Sequence, residues 1–210
     1  LLFAHTYTCT FAQTSPGNAT NLTKTWDFEK DRAGNKPAGW FIPPVLASMG
    51  YEIIVTDENP AKGKHCLKMS TGNQTNNPQN IMDEQATAAG NVMRVMEAAL
   101  YRGKRVRLEA SIRVVSTEMA KSQMWLRVDR INSKMGFYDG MNNRPISSPK
   151  WNTYEIIGDI DKDAQLINFG IMLLGKGTVW IDNVKIEILG DSSDKNINTS
   201  SQPPQKKDLQ

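Results

Sequence analysis

Two histidines and two cysteines are all that the 210 residues offer to the chemistry that depends on those side chains. His5 lies in an apolar opening segment and His65 in a strand-like segment with no evident partner. A Ser/His/Asp or Cys/His apparatus therefore lacks its base. Zinc hydrolysis fails for want of ligands. Cys9 and Cys66 do not make a disulfide framework, because Cys9 falls in the opening segment. Charge of one sign is also scarce: 25 Lys and Arg face 22 Asp and Glu, a formal net charge of +3 spread along the chain. Nucleic-acid binding needs a concentrated basic face, so it is excluded as a leading role. The basic run Arg102 to Arg107 alternates with apolar residues and reads as the wet side of a strand. No apolar run approaches the roughly 18 residues a membrane span needs.

What the ends do contain is distinctive in composition. Residues 1–13 are apolar and uncharged except for His5, and read as the back half of a secretory signal, which implies an extracytoplasmic protein. Residues 14–24 and 190–210 are poor in apolar side chains and cannot offset their ordering entropy by burial, so they read as a linker and a tail. The expected folded unit is then a single domain over residues 25–189.

Inside that unit the hydrophobic period is two. Val106, Leu108, Ala110, Ile112 and Val114 alternate with Arg105, Arg107, Glu109, Ser111 and Arg113. Met124, Leu126 and Val128 alternate with Trp125, Arg127 and Asp129, and Ile167, Phe169, Ile171 and Leu173 with Asn168, Gly170, Met172 and Leu174. Further strands are expected around 154–157 and 179–189, and weaker ones over 26–29, 51–56, 66–70 and 92–96. Gly175-Lys176-Gly177 reads as a tight hairpin between the last two strands. Residues 82–90 and 97–101 are the candidates for helical turns. Many short strands with almost no helical period predict an all-β, two-sheet antiparallel sandwich.

Several motifs occur in a fixed order: Trp26-Asp27-Phe28-Glu29, Pro37-Ala38-Gly39-Trp40-Phe41, Gly63-Lys64-His65-Cys66-Leu67, Trp151-Asn152-Thr153-Tyr154 and Val179-Trp180-Ile181-Asp182-Asn183-Val184. The ordered set resembles galactose-binding-like jelly-roll domains, of the kind found in carbohydrate-binding modules. More narrowly it is similar to the module that precedes the catalytic domain in bacterial exported serine peptidases and erythromycin-esterase-like hydrolases. The loop Asp139-Gly140-Met141-Asn142-Asn143-Arg144-Pro145-Ile146 looks like that module's Asp-Asn-Met-x-Asp-Arg-Pro-Ile, departing from it at Gly140 and Asn143. The resemblance implies a neighbouring catalytic domain as partner. It also implies a structural calcium between the first and last strands, with Glu29 and Asp182 at the matching positions.

Among the residues themselves, Trp125, Arg127 and Asp129 share one strand face. An aromatic plane stacks on the apolar side of a sugar ring while a guanidinium and a carboxylate bond its hydroxyls. Asn168 and Met172 join this face if it is the concave one, with Asn142 and Arg144 at its rim. The competing expectation is structural: Trp125 covers the sheet beneath a loop, and Arg127 pairs with Asp129 or Glu109. Trp26, Trp40, Trp151 and Trp180 are expected to fill the core or its edge. The function expected is that of a non-catalytic accessory module binding a glycan, with a positioning domain lacking a glycan site as the alternative.

Overall fold

The structure, a computed structural model, describes residues 22–72 and 89–192. The opening segment, the tail beyond 192 and most of the helical candidate over 82–90 lie outside the described residues. The elements are β1 (Thr23–Trp26), α1 (Val45–Ser48), β2 (Tyr51–Thr56), β3 (Cys66–Thr71) and β4 (Gly90–Glu97). They continue with β5 (Lys104–Arg130), β6 (Met135–Asp139), β7 (Asn152–Asp159) and β8 (Ala164–Asp191). Short 3-10 turns occupy Ala99–Tyr101 and Ile131–Ser133. No helix among the described residues is long and apolar enough to cross a membrane. Strand pairing runs from Thr23 to Asp191, so residues at both ends that read as linker by composition take part in the sheet.

Two long strands organise everything else. β5 and β8 run antiparallel from Lys104↔Asp191 to Arg130↔Ala164, with register shifts around Ser116 and Glu118. Even-numbered residues of β5 point inward on both sides of that irregularity: Val106, Leu108, Ile112 and Val114 before it, Met124, Leu126 and Val128 after it. A strand bent toward one face keeps that face inside on both of its halves, and the change of neighbours, β7 and β3 along one half and β6 and β4 along the other, marks each strand's crossing from one layer to the other. The Gly175-Lys176-Gly177 segment is thus a corner within β8, and the tight hairpin expected there is not formed. A Cβ at Gly177 would stand 2.7 Å from the Val115 carbonyl oxygen, which explains why glycine occupies the corner.

The first layer has the order β7, β5 (first half), β8 (second half), β3, β2, with β1 on the same edge of β8 as β3. The second layer has the order β6, β5 (second half), β8 (first half), β4. All pairings are antiparallel, and the result is the two-sheet jelly-roll sandwich expected from the sequence. Rows such as Val55–Leu67–Ile181–Ile112 fill the interior from one layer, and Val92–Ile171–Met124 meets them from the other. Branched and aromatic side chains pack well on such a half-buried pleat. Trp26, Trp40, Phe28 and Phe169 cluster at one edge of this core, with ring centroids 5.1 to 6.3 Å apart. Trp180 instead lies on the outer face of the first layer beneath Arg113, whose guanidinium carbon is 3.7 Å from the ring centroid. Trp151 donates its indole N–H to the Asn59 carbonyl at 3.0 Å.

Candidate functional site

The outward face of the second layer is read directly from register. One row across it is Phe41, Met93, Gly170 and Trp125. The next row is Val95, Asn168, Arg127 and Tyr138. A third carries Asn91, Met172 and Gln123. Trp125, Arg127, Asp129, Asn168 and Met172, singled out from alternation alone, therefore do meet on one face.

Their engagements are internal. Arg127 makes a two-pronged pair with Asp129, Nε to Oδ1 at 2.9 Å and Nη2 to Oδ2 at 2.9 Å. Buried Asn168 donates from Nδ2 to the same Asp129 Oδ2 at 2.7 Å. Both carboxylate oxygens are thus occupied, and Arg127 and Asp129 present a fixed, charge-compensated unit to solvent. Trp125 is 8% exposed, and its indole N–H donates to Asn91 Oδ1 on β4 at 3.2 Å, across β8. Gly170 lies between Trp125 and Met93 in that row, and a Cβ there would sit 2.4 Å from the Val92 carbonyl oxygen. Trp125 is accordingly a floor of this face rather than an exposed stacking platform. The exposed rings are Tyr138 and Phe41, at 47% and 53%, with Val95 at 48% between them. Neither ring stood out in the sequence, because Phe41 follows a turn with no alternation and Tyr138 lies on a five-residue strand.

The rim is built by the 139–146 loop. Asp139 accepts from the Met141 N–H at 2.8 Å and pairs with Arg144 through both guanidinium nitrogens. Burial alone pushes the Asp139 carboxyl up, but the Arg144 and Met141 donors outweigh it and leave it below the usual carboxylate range. Met141 has a left-handed φ of 53° and is buried, while Asn142 stands exposed and accepts from Gln123 Nε2 at 3.3 Å. Arg144 thus closes the loop, and Asn142 is the member of the rim that faces solvent with Gln123.

Glu29 and Asp182 sit at the opposite layer. Glu29 Oε1 accepts the N–H groups of Lys64 and His65, both at 2.9 Å, and these hydrogen bonds hold its carboxyl below the usual value. Asp182 is fully buried at a bulge whose next residue, Asn183, has φ 48°. Its Oδ2 accepts from the Lys62 N–H at 3.0 Å and its Oδ1 from the Asn183 N–H at 2.7 Å. Burial pushes this carboxyl up, against the pull of those amides. Three of the four carboxylate oxygens therefore face amide hydrogens, which carry a cation's sign of charge. No group of three or more His, Cys, Asp or Glu suited to a metal occurs among the described residues. Calcium takes six to eight oxygens, so an ion at this pair would need several backbone carbonyls or waters as well; in the structure the pair clasps the 61–65 loop.

Comparison with known proteins adds the following. No family model matches the chain. It is 30% identical over 180 residues, 84% of its length, to an uncharacterized HTH-type transcriptional regulator, YbfP, of Bacillus subtilis. The chain spans 57% of that relative. Its fold is similar to the CBM22-1 xylan-binding domain of Paenibacillus barcinonensis Xyn10C, with a TM-score of 0.55 at 13% identity, covering 80% of this chain and 95% of that one. It is also similar to the Clostridium thermocellum xylanase 10B CBM22-1–GH10 modules complexed with xylohexaose, with a TM-score of 0.54 at 12% identity, covering 80% of this chain and 28% of that one. At such identities the likeness shows the fold alone, a jelly-roll β-sandwich.

Proposed function

We propose that this domain is a non-catalytic carbohydrate-binding module and that its glycan lies on the outward face of the second layer. The observation that carries the reading is the composition of that face. Fixed hydrogen-bonding groups, Arg127 with Asp129, Asn168, and Gln123 with Asn142, lie among the exposed apolar side chains of Phe41, Val95 and Tyr138. Sugars present hydroxyls at their edges and C–H groups on their faces, and such a mixed surface suits both. The two likenesses to modules of xylanases support the class of ligand, and the GH10 module beside one of them supports a neighbouring domain as partner. What that domain does in this protein is part of the proposal, because the sequence relative carries a regulator's name.

A second reading, a positioning domain without a glycan site, is favoured by one observation: Trp125 is buried and bonded to Asn91, and Arg127 is fully engaged by Asp129. Affinity electrophoresis against soluble xylan, β-glucan and mannan separates the two. Glycan retardation that weakens in Arg127→Ala, with the melting temperature held, is the expected result. Wild-type protein that no glycan retards, or an Arg127→Ala variant retarded as strongly as wild type, refutes the assigned face.

A further inference from the structure

Arg94 occupies an inward position of the edge strand β4, opposite Phe169, where an apolar residue is the rule. Its guanidinium does not enter the core. The guanidinium carbon lies 5.0 Å from the Trp26 ring centroid and 5.8 Å from that of Trp40, and Nη1 donates to the Ala38 carbonyl at 3.2 Å. The turn it holds is otherwise anchored by the Ala38 N–H donating to Asp31 Oδ1 at 3.3 Å. Gly39, at φ +70°, leaves room for the guanidinium: a Cβ there would stand 2.9 Å from both terminal nitrogens.

Directly after this turn the chain docks on the free edge of β4. The Phe41 N–H donates to the Met93 carbonyl at 2.7 Å, and the Met93 N–H donates back to the Phe41 carbonyl at 3.0 Å. A pair bonded in this way puts both side chains on one side of the sheet. Trp40 therefore points into the core at 8% exposed, while Phe41 points outward beside Met93 at 53% exposed. Phe41 thereby adds a fifth position to the four-stranded face, and Tyr138 stands at the other margin. Four interstrand spacings separate them, about 19 Å at the usual spacing. That span is several pyranose rings wide.

We propose that Arg94 is a positioning residue that sets Phe41 as a stacking plane at one margin of the glycan face, so that the ligand is an extended oligosaccharide lying across the strands. This rests on the carbohydrate reading above. An arginine suits the task because its flat cation stacks on two indoles while its fork reaches a carbonyl, which a lysine cannot do together.

The test is a double-mutant cycle on the intact domain, with xylohexaose, cellohexaose and mannohexaose as probes in calorimetry and the corresponding trioses as short controls. Phe41→Ala is expected to weaken hexaose binding about tenfold, the worth of one ring stacked on an aromatic plane. Its melting temperature should match wild type, and the trioses should lose less. Arg94→Met should weaken hexaose binding by a similar factor, and the double variant no further, since a residue acting through Phe41 adds nothing once Phe41 is gone. Arg94→Lys serves the same comparison if Arg94→Met unfolds. Wild-type binding that survives Phe41→Ala overturns the proposal while leaving the face assigned by Arg127→Ala intact. Additive losses in the double variant overturn the positioning role. Absence of hexaose binding in wild type overturns the carbohydrate reading and this proposal with it.

Discussion

Replacing Gly63 by alanine probes the clasp between Glu29 and the 61–65 loop. Gly63 has φ +73°, and an added Cβ would stand 2.4 Å from Glu29 Oε1 and 2.6 Å from its carboxyl carbon. Two costs follow. A left-handed conformation is about 1–2 kcal/mol less favourable for alanine than for glycine. Relieving the collision means moving Glu29 and breaking its bonds to the Lys64 and His65 N–H groups. Bonds to a charged acceptor are worth about 1.5–3 kcal/mol each when buried. Glu29 is only half-buried, and water takes over part of the load, so about 1 kcal/mol for each is the reasonable share. Alanine restricts the unfolded chain and returns about 0.4–1 kcal/mol. The expected net loss is about 2–4 kcal/mol, read as a lowered urea midpoint at unchanged m-value. Glu29→Ala should lower the midpoint too, and Gly63→Ala in that background should cost only the backbone part. Gly63→Ala within about 0.5 kcal/mol of wild type refutes the clasp. The same titration with a chelator should leave the wild-type midpoint where it is; a clear drop would mean that a bound cation shares the carboxylates.

Two other perturbations have definite signs. Tyr101 is fully buried with its hydroxyl unpartnered among the described residues, and burial pushes its ionisation upward. Tyr101→Phe should leave stability unchanged or raise it by about 1 kcal/mol, and a loss larger than that in thermal or urea unfolding would show that the hydroxyl has a partner. For Arg144→Ala, the sign comes from Asp139, whose folded pKa lies below its unfolded one. Such a group contributes stability above the unfolded value, about 3.9, and loses it as pH falls through the folded value. Arg144 is substantially exposed, so the variant should be weaker by about 1 kcal/mol or less near neutral pH, and the gap should close on acidification below about pH 4. A gap constant from neutral to strongly acid pH would refute the assignment of the Asp139 shift to Arg144.

Alternation showed which side chains share a face, and the structure bears this out for Trp125, Arg127 and Asp129 as for the core residues Val106 to Val114. It could not show the crossing of β5 and β8 between layers. A Gly-Lys-Gly segment serves a hairpin and a corner equally well locally, and which one forms depends on whether the flanking strands pair with each other or both with β5. Exposure was equally hidden. Trp125 sits at an outward position, yet Asn91, 34 residues away in the chain, takes its N–H across the strand that carries Gly170. The motif Gly63-Lys64-His65 has a physical reason only once Glu29 is seen against it, because the positive φ and the two amide bonds belong to a contact between β1's exit and β3's entry. Phe41 was silent for a similar reason: its outward direction is set by the bridge to Met93, not by its neighbours in sequence.

The two outer faces of the sandwich differ in how completely they satisfy themselves, and this decides between them as binding surfaces. On the first layer, Arg107 pairs with Glu155 and Glu187, Lys185 with Glu109 and Glu187, and Arg105 with Asp159. Arg113 covers Trp180 beside them. A neutral chain laid on that ladder would strip water from linked charges and offer no charge in return, which is costly. On the second layer the face carries two compact ion pairs, Arg127 with Asp129 and Arg144 with Asp139, and the exposed charges Glu97 and Lys121 at its two ends. Between them the face is amide, thioether, Val95 and exposed ring: Asn91, Gln123, Asn142, Met93, Met172, Phe41 and Tyr138. Amides exchange water for sugar hydroxyls at little net cost, and rings gain by covering C–H faces. The proposed uncharged glycan therefore has its favourable surface on the second layer, while the first layer's ion-pair ladder keeps that side of the domain hydrated.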